Sequence, residues 1–284
     1  MFKLLVSPLL LALFFQGCTS VFLYPDDKTY TTPESYGLNY DEVYFTSEDK
    51  TSLHAWHIYP RTESKGLLFV AHGNAQNLSA HFVSWVWLLK AGYEVFIFDY
   101  RGYGRSEGES EIEGSIKDTA AALEYVDMHY EKAYFACGQS LGGTMLLNAM
   151  QGRDNPKIKA VIIDSTFTGF SDIAAEKMNG FFLTWPFQWI PRLSLSDRYD
   201  AKDRVSRVNK PLLFLHGSLD KTIPPNHSWQ LFESAPMPRE LWLVKDARHT
   251  QALENEAVQK DFLEFLQLEK AYYAPYYSRM RIYE

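Results

Sequence analysis

The chain has 284 residues, a formal net charge of −7, and a composition that is 46% hydrophobic and 22% charged. Such a composition excludes disorder, collagen and coiled coil, and the acidic balance speaks against nucleic-acid binding, which needs a basic surface for phosphate. A single decorated domain is expected at this length, with a core large enough to need neither disulfides nor a structural metal.

Met1-Phe2-Lys3 precedes an uncharged run from Leu4 to Phe15. One basic residue ahead of a short apolar run has the form of the n-region and h-region of a secretory signal. The run is shorter than the roughly 20 residues of a membrane-spanning helix, and Pro8 interrupts it. Phe15-Gln16-Gly17-Cys18 follows and resembles the bacterial lipobox, in which a small residue precedes a lipidated cysteine. The resemblance implies that residues 1–17 are a signal peptide and that Cys18 is the lipidation site. It implies a chain anchored by lipid to a membrane of the bacterial cell envelope, on the periplasmic side. Lipidation of Cys18 would leave Cys137 as the other cysteine, without a disulfide partner. Residues 18–40, polar and rich in tyrosine, are expected to form a tether wrapping onto the domain.

From residue 41 strands and helices alternate. Residues 41–47 and 53–59 alternate in polarity and predict a half-exposed hairpin. Residues 67–71, 94–98, 133–136, 160–163, 212–215 and 241–244 are short continuous apolar runs, the pattern of parallel strands buried on both faces. Helices are expected at 78–90, 115–129, 141–150, 229–234 and 252–268. Ser115-x-x-Asp118 has the form of a capping box, and Ile116, Ala120, Leu123 and Val126 share a face at helical spacing. The fold class that results is α/β, a three-layer αβα sandwich with a mostly parallel central sheet. Ligands bind such sheets beyond the carboxyl ends of the strands.

The chemistry sits at the strand ends. After 67–71 comes His72-Gly73-Asn74-Ala75-Gln76-Asn77, where Gly73 permits close backbone approach and Asn74 offers an N–H; His72 is read as holding the loop. After 94–98 comes Asp99-Tyr100-Arg101-Gly102-Tyr103-Gly104-Arg105-Ser106. It is neither a dinucleotide fingerprint nor a Walker loop, and is read as scaffold, with Asp99 and Arg101 paired near the site. After 133–136 comes Cys137-Gly138-Gln139-Ser140-Leu141-Gly142-Gly143, a G-x-S-x-G between strand and helix. A turn this tight has no room for side chains at Gly138 and Gly142, and it exposes Ser140 at a helix N-terminus. A serine hydroxyl needs a base. The run 212–215 leads to Asp220, and the run 241–244 leads to His249. The order Ser140, Asp220, His249 is the one this elbow demands, with serine as nucleophile, histidine as base and aspartate as its orienter. Asp164, at the end of 160–163, is the substitute acid. The amides of Asn74 and Leu141 are the expected oxyanion hole. No cofactor and no metal are implied.

HGNAQN, FDYRGYGRSEG, GQSLGG, HGSLDKTIP and the late His249 together resemble the alpha/beta-hydrolase superfamily, in its serine-aminopeptidase-like (S33-type) branch of small esterases, over about residues 41–268. Arg248 departs from the small residue that the family usually places before the histidine. The resemblance implies a helical cap inserted at about 168–207, and its five aromatics between Phe181 and Trp189 would roof an acyl pocket, pack the cap onto the core or touch a membrane. It implies a serine hydrolase acting on a small-molecule ester or thioester. A peptidase for short peptides, its amine subsite supplied by Glu107, Glu109 or Glu111, is the alternative within the enzymes. A non-catalytic envelope binding protein on the same scaffold is the alternative outside them. Residues 269–284 form a tyrosine-rich tail that docks on the domain or binds a partner.

Overall fold

The computed structural model describes residues 23–153, 155–179, 189, 197–267 and 277–284. The signal segment, Cys18, most of the aromatic stretch between Phe181 and Trp189, and Tyr272 to Tyr276 lie outside the described residues.

The strands are β1 (Asn39–Thr46), β2 (Ser52–Tyr59), β3 (Leu67–Ala71), β4 (Glu94–Phe98), β5 (Tyr134–Gln139), β6 (Ile158–Asp164), β7 (Leu212–Gly217), β8 (Arg239–Val244) and β9 (Ser278–Tyr283). They form one sheet in the order β1-β2-β4-β3-β5-β6-β7-β8-β9. β1 and β2 form the expected antiparallel hairpin, β2 meets β4 antiparallel, and pairings from β4 to β9 are parallel. The fold is thus an α/β sandwich with a mostly parallel sheet.

The strand sequences explain why both faces are covered. In β3 every residue is buried. Leu67, Phe69 and Ala71 enter one core layer with Phe96, Phe98, Met145 and Phe214. Leu68 and Val70 enter the opposite layer with Trp85, Ile97, Ile162 and Phe262. Side chains alternate faces with period two, so a strand buried on both faces must be apolar throughout. The longer helices α1 (Ile112–His129), α2 (Leu141–Ala149), α3 (Phe170–Asn179), α4 (Asn226–Ser234) and α5 (Glu256–Gln267) flank the sheet.

Three local expectations are corrected. Residues 78–90 are not one helix: an α-helical turn at Leu78–His81 passes through a 3-10 turn at Phe82–Trp85 into Val86–Lys90. Ser115 and Asp118 do not cap a helix, because α1 already begins at Ile112, with Glu111 at its N-cap. Both residues are buried inside the helix, and the buried face runs through Ile112, Ser115, Thr119, Ala122, Leu123 and Val126; Ile116 and Ala120 lie at its partly buried margin. The third correction explains the second: Arg101 pairs with Asp118, not with Asp99. Its Nη2 donates to Asp118 Oδ1 at 2.7 Å and its Nε to Asp118 Oδ2 at 3.0 Å. A Cβ at Gly114 would collide with the Arg101 guanidinium, so the glycine clears its seat against α1.

The end of the chain docks. β9 adds a parallel strand beside β8, and Arg281 Nη1 and the Tyr283 hydroxyl both donate to Asp261 Oδ2 of α5, at 2.7 and 2.9 Å. α3 is tied down through His227 of α4, whose Nε2 lies 3.0 Å from Glu176 Oε2. Among the described residues, no helix is long and apolar enough to cross a membrane.

Candidate active site

β5 turns into α2 at Ser140, whose φ of 54° and ψ of −117° lie in a region that L-residues rarely adopt. Packing imposes that conformation. A Cβ at Gly138 would lie 2.5 Å from Gly143 Cα, and one at Gly142 would collide with the carbonyl oxygens of Ala71 and His72. Gly143, which the G-x-S-x-G pattern does not include, is equally constrained, because a Cβ there would strike the Thr166 side chain. The Thr166 hydroxyl donates to Ser140 O at 3.0 Å, and Ser140 N–H donates to Asp164 O at 2.8 Å. The elbow is thereby pinned to the end of β6.

The three distant residues meet. Asp220 follows β7 and His249 follows β8, and their two loops are fastened together: Ser218 N–H donates to Val244 O at 2.8 Å, Leu219 N–H to Ala247 O at 2.9 Å, and Asp246 N–H to Ser218 Oγ at 3.0 Å. A Cβ at Gly217 would collide with the Ala247 carbonyl, so this glycine lets the loops touch. His249 Nδ1 lies 2.7 Å from Asp220 Oδ2, and its Nε2 lies 3.0 Å from Ser140 Oγ. An ionised carboxylate only accepts, so Nδ1 carries the proton and Nε2 accepts from the serine hydroxyl. Ser140 is buried at 8% exposure and the His249 side chain is 24% exposed, so the line reaches solvent chiefly at the histidine. Asp220, whose side chain is fully buried, closes its far end.

Asp220 is held ionised. Burial opposes its charge, but hydrogen bonds from His216 and His249 and from the Ile223 N–H outweigh burial and hold the carboxyl well below the usual carboxylate range. Thr222 and Ile223 donate their N–H groups to Oδ1 at 2.8 and 2.9 Å. His216, read past in the sequence, is a buried second partner: its Nε2 lies 3.2 Å from Asp220 Oδ2 and 2.8 Å from the Ile223 carbonyl, while the Ser228 hydroxyl lies 2.6 Å from its Nδ1. Asp164 sits otherwise. Burial pushes its carboxyl up, and it accepts from Gln139 Nε2 and the Ser165 hydroxyl, each at 3.0 Å. The imidazole Nδ1 faces Asp220, not Asp164.

The loop after β3 lies against the serine: a Cβ at Gly73 would come within 3.4 Å of Ser140 Cβ. His72 is fully buried and holds this loop, with Nδ1 2.7 Å from Gly73 O and Nε2 3.5 Å from Asp99 Oδ1. Leu141 is the first residue of α2, so its N–H has no acceptor within the helix. Asn74 Oδ1 accepts from the Ala75 N–H at 2.8 Å and the Tyr103 hydroxyl at 2.9 Å. From the sequence, Tyr103 belongs only to the scaffold loop after β4. Its contact with Asn74 spans 29 residues and no spacing rule announces it. Cys137 is fully buried beneath the elbow, and burial pushes its thiol well up, which leaves it inert. Among the described residues, no group of His, Cys, Asp and Glu is arranged to hold a metal ion.

The serine aminopeptidase, S33 family (Hydrolase_4) matches residues 62–206 of this chain. YfhR of Escherichia coli strain K12 is 35% identical over 240 residues, covering 81% of this chain and 80% of that protein. The alpha/beta hydrolase domain-containing protein WAV2 of Arabidopsis thaliana is 32% identical over 219 residues, 72% of this chain and 69% of that one. In fold, an esterase of Pyrococcus furiosus superposes with a TM-score of 0.71 at 24% identity, covering 87% of this chain and 97% of the other. The chain belongs to the serine aminopeptidase, S33 family and is an alpha/beta-hydrolase enzyme.

Proposed function

We propose that this hydrolase cleaves carboxylic esters or thioesters through an acyl-enzyme, with Ser140, His249 and Asp220 as its triad. The observation that carries the reading is the unbroken line from Ser140 Oγ through His249 to Asp220, with separations of 3.0 and 2.7 Å. Ser140 Oγ attacks the acyl carbon while its proton passes to His249 Nε2. The carbonyl electron pair moves onto oxygen, where the amides of Asn74 and Leu141 stabilise it. Collapse breaks the bond to the alkoxide or thiolate, which takes the proton from Nε2. Water then repeats the attack, releasing the acid and restoring the serine. Asp220 stays ionised throughout and stabilises the imidazolium, which is why its depressed pKa matters. The test is labelling by a fluorophosphonate probe. Wild-type protein is expected to label, and Ser140→Ala to remain folded and unlabelled; a folded wild type that does not label refutes the triad.

The ester reading is favoured over the peptidase because Glu111, one of three glutamates that could serve an amine subsite, is engaged elsewhere. Glu111 Oε1 lies 3.5 Å from the Arg101 guanidinium, which is itself engaged by Asp49 and Asp118. Glu107 and Glu109 are exposed.

We also propose that Cys18 is lipidated and holds the enzyme on a membrane of the bacterial envelope. The support is the lone Lys3, the apolar run behind it, and Gly17-Cys18. Metabolic labelling with an alkynyl fatty acid is expected to mark the wild-type protein and leave Cys18→Ser unmarked and in the soluble fraction. Equal labelling of both would contradict the anchor.

A further inference from the structure

The segment before the hairpin lies along the loop that follows β3. Leu23 is buried in the core, and Pro25 bridges Gln76 in parallel fashion. The Asp26 carbonyl accepts from the Gly104 N–H at 2.9 Å and from Asn77 Nδ2 at 3.1 Å. Asn77 Nδ2 also donates to Lys28 O at 2.8 Å, and the Tyr30 N–H donates to Ser79 Oγ at 2.9 Å. At Asn74, the main-chain N–H of Tyr24 donates to Oδ1 at 3.0 Å. This is the oxygen that also receives the Tyr103 hydroxyl at 2.9 Å. Two pieces of chain from outside the loop therefore converge on one carboxamide oxygen.

The loop needs such support. Ala75 and Gln76 adopt φ values of 62° and 58°, the left-handed region that non-glycine residues rarely occupy. His81 Nε2 lies 3.0 Å from the Ala75 carbonyl and steadies the same turn. Burial, aided by the neighbouring His72, lowers the pKa of His81 to about 4, so it holds that carbonyl as a neutral donor. Oxyanion donors work only when they are aimed before the charge develops, and here the aim of Asn74 depends on contacts made at its side chain.

We propose that residues 23–28 are a positioning strap for the oxyanion pocket, in which the Tyr24 main-chain N–H and the Tyr103 hydroxyl together orient Asn74 so that its amide meets the developing oxyanion. The inference rests on the hydrolase reading above and adds two positioning groups to it. The Tyr24 side chain is 63% exposed, so at this residue the strap acts through its backbone. That makes a clean comparison available. Tyr24→Pro deletes the N–H, whereas Tyr24→Ala removes the ring and keeps it.

The experiment is steady-state hydrolysis of p-nitrophenyl acetate by the full chain. Tyr24→Pro is expected to lower kcat about tenfold with KM little changed, and Tyr24→Ala to stay within about twofold of wild type. Tyr103→Phe is expected to lower kcat about tenfold in the wild-type background and to have no further effect beside Asn74→Ala, because both act through one carboxamide. This cycle decides the matter if Tyr24→Pro does not fold. Equal kinetics for folded Tyr24→Pro and Tyr24→Ala, or losses that multiply in the cycle, overturn the strap. Ser140→Ala in the same assay separates the two readings. Turnover that survives it defeats the hydrolase proposal and the strap with it; turnover that needs Ser140 but ignores Tyr24 and Tyr103 defeats the strap alone.

Discussion

Asp220→Asn is expected to lower kcat about 10⁴-fold, while Asp164→Asn stays within about twofold of wild type. The asparagine keeps Oδ1 as acceptor for the Thr222 and Ile223 N–H groups, so the loop has no reason to move. Its Nδ2, however, is a donor placed against His249 Nδ1. The imidazole must then carry its proton on Nε2, facing Ser140, and cannot take the serine proton. Asp164 makes no such demand, since its partners are the Gln139 and Ser165 side chains. The pH dependence of stability carries a second signature. The folded pKa of Asp220 lies below its unfolded value of about 3.9. Its contribution is therefore fully present above that value and is lost as pH falls through the folded pKa. Urea unfolding of wild type and Asp220→Asn should differ most near neutrality and converge in acid. A difference that grows on acidification would contradict the assignment.

Arg101→Met is expected to cost about 3–5 kcal/mol of stability, because it strands a buried carboxylate. The Asp118 side chain has no solvent exposure. It accepts from Arg101 three ways: from Nη2 at 2.7 Å, from Nε at 3.0 Å and from the main-chain N–H at 2.8 Å. The guanidinium continues to Asp49 Oδ2 at 2.8 Å, which ties α1 to the β1–β2 turn. Asp118→Leu added to Arg101→Met should recover part of the loss, since the stranded charge is then gone. Urea titration measures both; a loss under about 1 kcal/mol in the single variant would show that Asp118 finds water or another donor.

The parts of this fold that can be read from the chain are those where one residue type answers one physical demand. β3 and β4 run Leu67–Ala71 and Glu94–Phe98, the expected bounds, because doubly buried strands are apolar, apart from Glu94 with its His57 partner, and stop where polar loops begin. Ser140, Asp220 and His249 are legible for a related reason: each follows such a strand, and a parallel sheet delivers those ends to one edge. The start of α1 is not legible, because Asp118 was selected as the partner of a distant arginine and only by spacing resembles a cap. β9 is hidden for a different cause. It is an edge strand, mostly exposed, reading Ser278-Arg279-Met280-Arg281-Ile282-Tyr283, and without the continuous apolar run of its neighbours it looks like tail. His216, Gly143, Gly217 and Tyr103 complete the site through contacts that close only once the loops fold over one another.

The most direct measurement is the mass of the enzyme during turnover. Protein quenched with acid in the first turnovers of p-nitrophenyl acetate, then digested and mapped, should carry one acetyl group on Ser140, with a burst of nitrophenol matching the enzyme concentration. An aminoacyl p-nitroanilide should give no comparable adduct. Turnover without acylation of Ser140, or undiminished in Ser140→Ala, would contradict the account.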